Sequence, residues 1–262
     1  MSTAALENFR GPGCGHLAYG FRALDMLKKS DSLCQVLPPI GNQACRSKDY
    51  MNEIDSRALC TLFCCCNKTG GRQACVKNVL WAADGANGYS GHYKAEVPYI
   101  DRQPQMSRNN PKRATRGRPA GSRIPDVVVV KDGAKPPTLD NVQKAYEMKF
   151  PGDSYGNEIG SDHMTQQEAY KDLFEDKIDE KPMTTQSCKC DDEDEAKENA
   201  SVLQKARAWE AQRDQALAIE HPLNEEMWPL IASALTGGVT SVIGRGASLL
   251  LGRALQVLKL AF

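Results

Sequence analysis

Residues 123–150 read RIPDVVVVKDGAKPPTLDNVQKAYEMKF, and the two ends of that stretch decide the fold. At its front, RIPDVVVV (Arg123–Val130) carries four consecutive valines, the mark of a strand buried on both faces and central to a sheet. Asp126 follows Pro125 at the strand's start, where proline is tolerated because no ladder donor is required. At its back, YEMKF (Tyr146–Phe150) alternates. Successive strand residues point to opposite faces, so Glu147 and Lys149 share one face while Tyr146, Met148 and Phe150 share the packing face. If the two strands are neighbours, Asp126 comes beside Glu147 and Lys149 at one sheet edge.

Two carboxylates brought together on an apolar sheet repel, and the pKa of at least one rises unless something compensates. A divalent cation compensates, and hard oxygen ligands suit magnesium or manganese. The three side chains therefore make a hydrolytic set for a phosphodiester: Asp126 and Glu147 as metal ligands, Lys149 to orient the nucleophile and stabilise phosphoryl oxygens. The bland alternative is an Asp126–Lys149 salt bridge with Glu147 facing solvent. For an isolated E-x-K that alternative is the ordinary one. Here P-D and E-x-K each belong to a strong strand, in the right order.

This pattern resembles the PD-(D/E)xK nuclease superfamily and, within it, the VRR-NUC family, over roughly Tyr93 to Cys190 on the residues RIPDVVVV, YEMKFPGD and TQQEAY. The resemblance implies an α/β (α+β) fold with a restriction-endonuclease-like core: a helix, a three-stranded meander, a crossing helix and a further strand, giving a mixed central sheet flanked by helices. It implies that Asp126 is the aspartate of the first motif, with Glu147 and Lys149 the acid and lysine of the second. Gln166 and Tyr170 match a Gln and Tyr spaced four apart on the helix that follows, a spacing that shares one helix face. It also calls for a glutamate on the helix before the meander. Glu53 is the candidate, as a catalytic residue and third metal ligand. The implied cofactor is Mg2+ or Mn2+, and the implied substrate is DNA.

The rest of the 262-residue chain frames that core. Thirty-three basic and 33 acidic residues cancel, so net charge says nothing of partners, but their distribution does. Basic residues crowd Arg102 to Lys131, and Asp191 to Glu198 is strongly acidic. The arm RQPQMSRNNPKRATRGRPAGSR has no apolar period and reads as a loop or disordered segment suited to tracking phosphates without reading bases. The chain divides into a helical, cysteine-rich region 1–92, the nuclease-like region 93–190 and a helical extension 191–262. Helices are expected around HLAYGFRALDMLKKS, NEIDSRALCTLFCCC, ACVKNVLWAAD, DHMTQQEAYKDLFEDK (capped by Asp162) and EAKENASVLQKARAWEAQRDQALAIE.

Ten cysteines lack paired C-x-x-C spacing. They read as buried thiols, with Cys60, Cys64 and Cys75, or Cys64 and Cys66 with Cys188 and Cys190, as alternative metal ligands. The segment from Trp228 is apolar but broken by Pro229, Gly237, Gly238 and Gly244. It favours two amphipathic helices over a membrane-active hairpin. The start MSTAALENFRGPGCGH lacks the basic and apolar parts of a secretory signal. A nuclease core with these flanks resembles a polymorphic bacterial toxin of the type VI secretion kind. That resemblance implies delivery without a cleaved signal, action in the cytoplasm of a target bacterium, a secretion-apparatus partner and a cognate immunity protein. A repair or structure-selective nuclease, and a non-enzymatic protein acting through its apolar tail on a membrane or partner, are the rival readings.

Overall fold

The computed structural model describes residues 13–153, 158–159, 164–179 and 181–220. The chain is α+β. Four helices come first: α1 (Leu17–Lys28), the single turn α2 (Leu33–Val36), α3 (Lys48–Asn67) and α4 (Arg72–Ala86). Five short strands follow: β1 (Tyr93–Ala95), β2 (Tyr99–Ile100), β3 (Gln103–Pro104), β4 (Met106–Ser107) and β5 (Asn110–Ala114). Then come β6 (Val127–Val130), β7 (Val142–Tyr146), β8 (Glu158–Ile159), β9 (Met164–Thr165), α5 (Gln166–Phe174) and α6 (Glu193–Glu220). Residues up to Arg213 form one compact unit; from Asp214 onward, only the end of α6 is described. The apolar segment from Trp228 lies outside the described residues, and the helix expected to be capped by Asp162 starts instead at Gln166 with Thr165 as its N-cap.

The central sheet runs β1-β6-β7, all antiparallel, with the four-valine strand in the middle as its composition predicts. Its pleat divides two cores. Val127, Val129, Tyr146, Met148 and Phe150 pack with α1, α3 and α4, where Ile54, Ala58, Leu59, Leu62, Phe63 and Cys66 form the buried stripe that their helical spacing predicts. Val128, Val130 and Ala145 pack on the other face with Tyr170, Leu173 and Phe174 of α5. The first of these cores joins segments on both sides of position 92, so the helical region and the strands that follow pack as one unit. Two parallel bridges, Ala145↔Ile178 and Met148↔Met183, extend the sheet past β7 and make its far edge mixed.

Burying charge between helices and sheet demands pairing. The Lys28 Nζ donates to Asp55 at 2.7 Å with both side chains essentially inaccessible, and the Tyr93 hydroxyl donates to the same carboxylate at 2.5 Å. The Lys94 Nζ donates to Asp84 at 2.8 Å, and Asp25 accepts the His92 backbone amide at 2.8 Å. At Gly133 a Cβ would stand 2.2 Å from the Ser90 carbonyl, so only glycine allows that loop to close against β1.

Two expectations are corrected here. The arm after Arg102 is not structureless. Residues 103–104 pair with β2, and β4 and β5 form a hairpin turning at Arg108 and Asn109, with the Lys112 ammonium reaching the Ser90 hydroxyl at 3.3 Å. Strand pairing satisfies backbone groups that the polar sequence does not advertise.

The cysteines are neither buried thiols nor metal ligands. All ten form five disulfides: Cys14–Cys65, Cys34–Cys45, Cys60–Cys188, Cys64–Cys190 and Cys66–Cys75. The sulfurs of Cys14, Cys66 and Cys75 lie within 4.8 Å of one another, but as members of two adjacent disulfides they have no thiolate to offer a metal. Three consecutive cysteines find three partners because they sit on α3, whose successive residues point about 100° apart and so face different neighbours. No helix among the described residues is long and apolar enough to cross a membrane.

Candidate active site

The pairing register builds the site. Val127 stands opposite Tyr146, so Asp126 sits one step beyond the pair, beside Glu147. Parity then places Glu147 and Lys149 on the sheet face that α5 covers, while the Asp126 carboxylate, beside them in the pairing, lines a hollow with Gln73, Val76 and Lys77 of α4. The Asp126 carboxylate is fixed by its neighbour strand: Oδ2 accepts the Met148 backbone amide at 2.7 Å. Met183, across the parallel bridge, accepts the Lys149 amide at 2.9 Å and donates its own amide to the Glu147 carbonyl at 2.8 Å. Backbone hydrogen bonds thus clamp the E-x-K segment from both sides.

The helix over this face starts where its cap dictates. Thr165 is the N-cap, and its side chain and that of Glu168 reciprocate in a capping box. Gln166 is therefore the first helical residue and projects over the sheet. Its amide bridges the set. Oε1 accepts Lys149 Nζ at 2.7 Å, while Nε2 donates to Glu147 Oε1 at 2.7 Å and to the Tyr170 hydroxyl at 3.1 Å. Tyr170, one turn along, donates to the Ile124 carbonyl at 2.5 Å, two residues before Asp126. Lys149 Nζ also lies 2.9 Å from Glu147 Oε1. Five of the six expected residues converge. Lys149 pairs with Glu147 rather than with Asp126, and Glu147 is buried rather than solvent-facing.

The electrostatics are those of two acids with too little positive charge between them. Withdrawal from water pushes the Asp126 carboxyl well above the usual range, and the Glu147 charge pushes it further; the Met148 amide and Lys149 oppose both. Burial likewise raises Glu147 against the opposing pull of Lys149. Glu147 Oε2 is buried without a hydrogen-bond partner among the described residues. A buried, partnerless carboxylate oxygen is costly. The donor set of Asp126 and Glu147 is hard oxygen, the ligand type that magnesium or manganese takes.

Glu53 is not part of this site. It lies on α3, where Oε1 accepts Arg57 at 2.7 Å and Oε2 accepts Gln43 at 3.0 Å, in a cleft shared with Leu37, Pro38, Glu198 and Val202. The helix preceding the first strand is α4, not α3, and Gln73 occupies its first turn, with Nε2 3.4 Å from Asp126 Oδ1. The acid nearest that position comes from elsewhere. Glu96, directly after β1, donates its amide to the Asp126 carbonyl at 3.0 Å, and its charge adds to the upward pressure on the Asp126 carboxyl. Glu96 has φ +48°, a conformation that non-glycine residues rarely adopt, and its carboxylate lies 3.2 Å from Lys77 and 3.4 Å from Arg118. Neither residue carries a signal in the sequence alone, because each reaches Asp126 through packing. Comparison with protein-family models, with curated proteins and with solved structures finds no match.

Proposed function

We propose that this protein is a metal-dependent DNA endonuclease with a restriction-endonuclease-like core, cutting phosphodiester bonds with little sequence preference. The observation that carries the reading is the Glu147–Lys149–Gln166 network beside Asp126, in which Glu147 Oε2 is buried and lacks a side-chain hydrogen-bond partner among the described residues. Asp126 and Glu147 would hold the cation. When bound, it supplies Lewis-acid stabilisation of phosphoryl charge and a water of lowered pKa. The chain's own groups do the remaining work. The Met148 amide orients Asp126, and Gln166 bridges Lys149 and Glu147 through the two ends of its side-chain amide. Lys149 presents an ammonium next to the attacked phosphate, and Tyr170 is a positioning residue that ties α5 to the strand bearing Asp126.

The five disulfides support folding or passage through an oxidising compartment. That fits an antibacterial effector delivered from cell to cell, acting on DNA in the target's cytoplasm and neutralised in the producer by an immunity protein. A secretion-apparatus partner belongs to the same proposal. The test is nicking of supercoiled plasmid by the disulfide-bonded protein with magnesium, with chelator, and with Asp126→Ala or Lys149→Ala. The expected result is magnesium-dependent nicking that falls by roughly a thousandfold or more in both variants. Undiminished nicking in either variant refutes the site.

A further inference from the structure

We infer that the cleft between α4 and the β4–β5 hairpin is a strand-gripping subsite, taking one phosphate and an unstacked base of single-stranded or flared DNA. It rests on the nuclease reading for its biological meaning but not for its test. The cleft is lined by Trp81, Tyr89, Lys94, Arg113 and Arg116, with Asp84 at its floor. The Arg113 guanidinium sits 5.4 Å from the Tyr89 ring centre and that of Arg116 sits 5.4 Å from the Trp81 ring centre. Among the described residues neither guanidinium has a carboxylate partner. The acid nearby is already engaged, since Asp84 accepts Lys94 at 2.8 Å and the Gly91 amide at 2.9 Å. Trp81 is held in turn by its Nε1, which reaches the Ala95 carbonyl at 3.4 Å. Two arginines backed by aromatic rings combine the phosphate fork of the guanidinium with a planar outer face on which a base can stack.

The cleft is joined to the carboxylate site by one helix face. Gln73, Lys77 and Trp81 lie at successive four-residue steps of α4: Gln73 reaches Asp126, Lys77 pairs with Glu96 and lies 5.4 Å from the Trp81 ring centre. Lys77 and Arg118 together cover the one acid on this track. Gln73 to Trp81 spans about 12 Å at 1.5 Å per residue. That is three to four nucleotides at the ~3.4 Å spacing of a stacked strand. A strand cut at Asp126 therefore has its neighbouring nucleotides over Trp81 and the two arginines.

The experiment measures fluorescence anisotropy of a labelled 20-nucleotide single strand and its blunt duplex, with chelator, over a salt series. It compares the parent chain, R113Q/R116Q, and K135Q as a charge control, each checked for an unchanged thermal midpoint. R113Q/R116Q is expected to weaken single-strand binding about tenfold, to lower the salt slope by roughly 0.7 (the value for one phosphate on a single strand), and to affect the duplex less. K135Q is expected to bind as the parent does. Single-strand binding by R113Q/R116Q within twofold of the parent overturns the subsite, as does tighter binding of the duplex than of the single strand by the parent. If the parent binds through these arginines but never nicks DNA, the subsite stands and the nuclease reading falls. If it nicks while the arginine variant binds normally, the reverse holds.

Discussion

Two disulfides each span nearly half the chain and tie α3 to the segment that follows Met183, which makes their removal the most informative perturbation. Cys60–Cys188 and Cys64–Cys190 close loops with sequence separations of 128 and 126. Both join α3 to the segment just after Met183, whose backbone grips Glu147 and Lys149. In the chain-entropy account a loop of that size is worth about 5 kcal/mol against the unfolded state. The two bonds interleave in the chain and lie only a few residues apart at each end, so with one in place the other closes only a ring of a few residues, worth about 2 kcal/mol on the same relation.

Removing either pair alone (C60A/C188A or C64A/C190A) is therefore expected to cost about 2 kcal/mol plus the packing loss of two truncated thiols. Removing all four cysteines is expected to cost roughly 3 kcal/mol more than the two pair deletions added together. Guanidinium unfolding under non-reducing conditions measures all three variants. Additive losses within about 0.5 kcal/mol would show that the bonds do not share one long loop and would refute the reasoning. A second readout comes from the site: nicking by the four-cysteine variant should fall well before global unfolding, because the Met183 bridge loses its tether.

The other predictions are simpler. Tyr170→Phe leaves the Ile124 carbonyl and Gln166 short of a partner and is expected to cost about 1–3 kcal/mol, with kcat falling more than KM changes; equal stability and kinetics would remove Tyr170 from the positioning role. Glu53→Ala is expected to leave nicking unchanged and to cost at most about 1 kcal/mol, since it removes a half-exposed pairing with Arg57; lost nicking would restore Glu53 to the site. The raised carboxyls of Asp126 and Glu147 bind protons more tightly folded than unfolded. Their stabilising contribution is full below the ordinary carboxylate range and drains away as pH climbs through the raised values, so metal-free protein should lose stability in that window. Magnesium should restore it while releasing protons. Calorimetry in buffers of differing ionisation heat reads that release, and a zero release rules out a cation between these acids.

Much of the site was legible before any tertiary contact was known, and the reason is local geometry. Strand alternation alone puts Glu147 and Lys149 on one face. Helical periodicity alone puts Gln166 and Tyr170 on another, and the Pro125–Asp126 step marks a strand's start. The stripe Ile54, Ala58, Leu59, Leu62, Phe63 and Cys66 was readable for the same reason. Glu53 misled because choosing which helix precedes the meander is a question of packing, and α4 intervenes. The arm reads as a loop in the sequence because β4 and β5 are too short and polar to show a period; their hydrogen bonds, not their side chains, make them strands.

The repeat of each element is readable from residue order, since a backbone period of two or 3.6 residues is set by covalent geometry and assigns faces without reference to the rest of the chain. Which residues meet is settled by the packed chain alone. The register of Val127 on Tyr146, the approach of Gln73 and Glu96 to Asp126, and the partner of each of ten cysteines all join residues far apart in the chain. Such pairings are chosen by which arrangement buries the most apolar surface with every buried polar group satisfied, and that balance exists only for the folded whole.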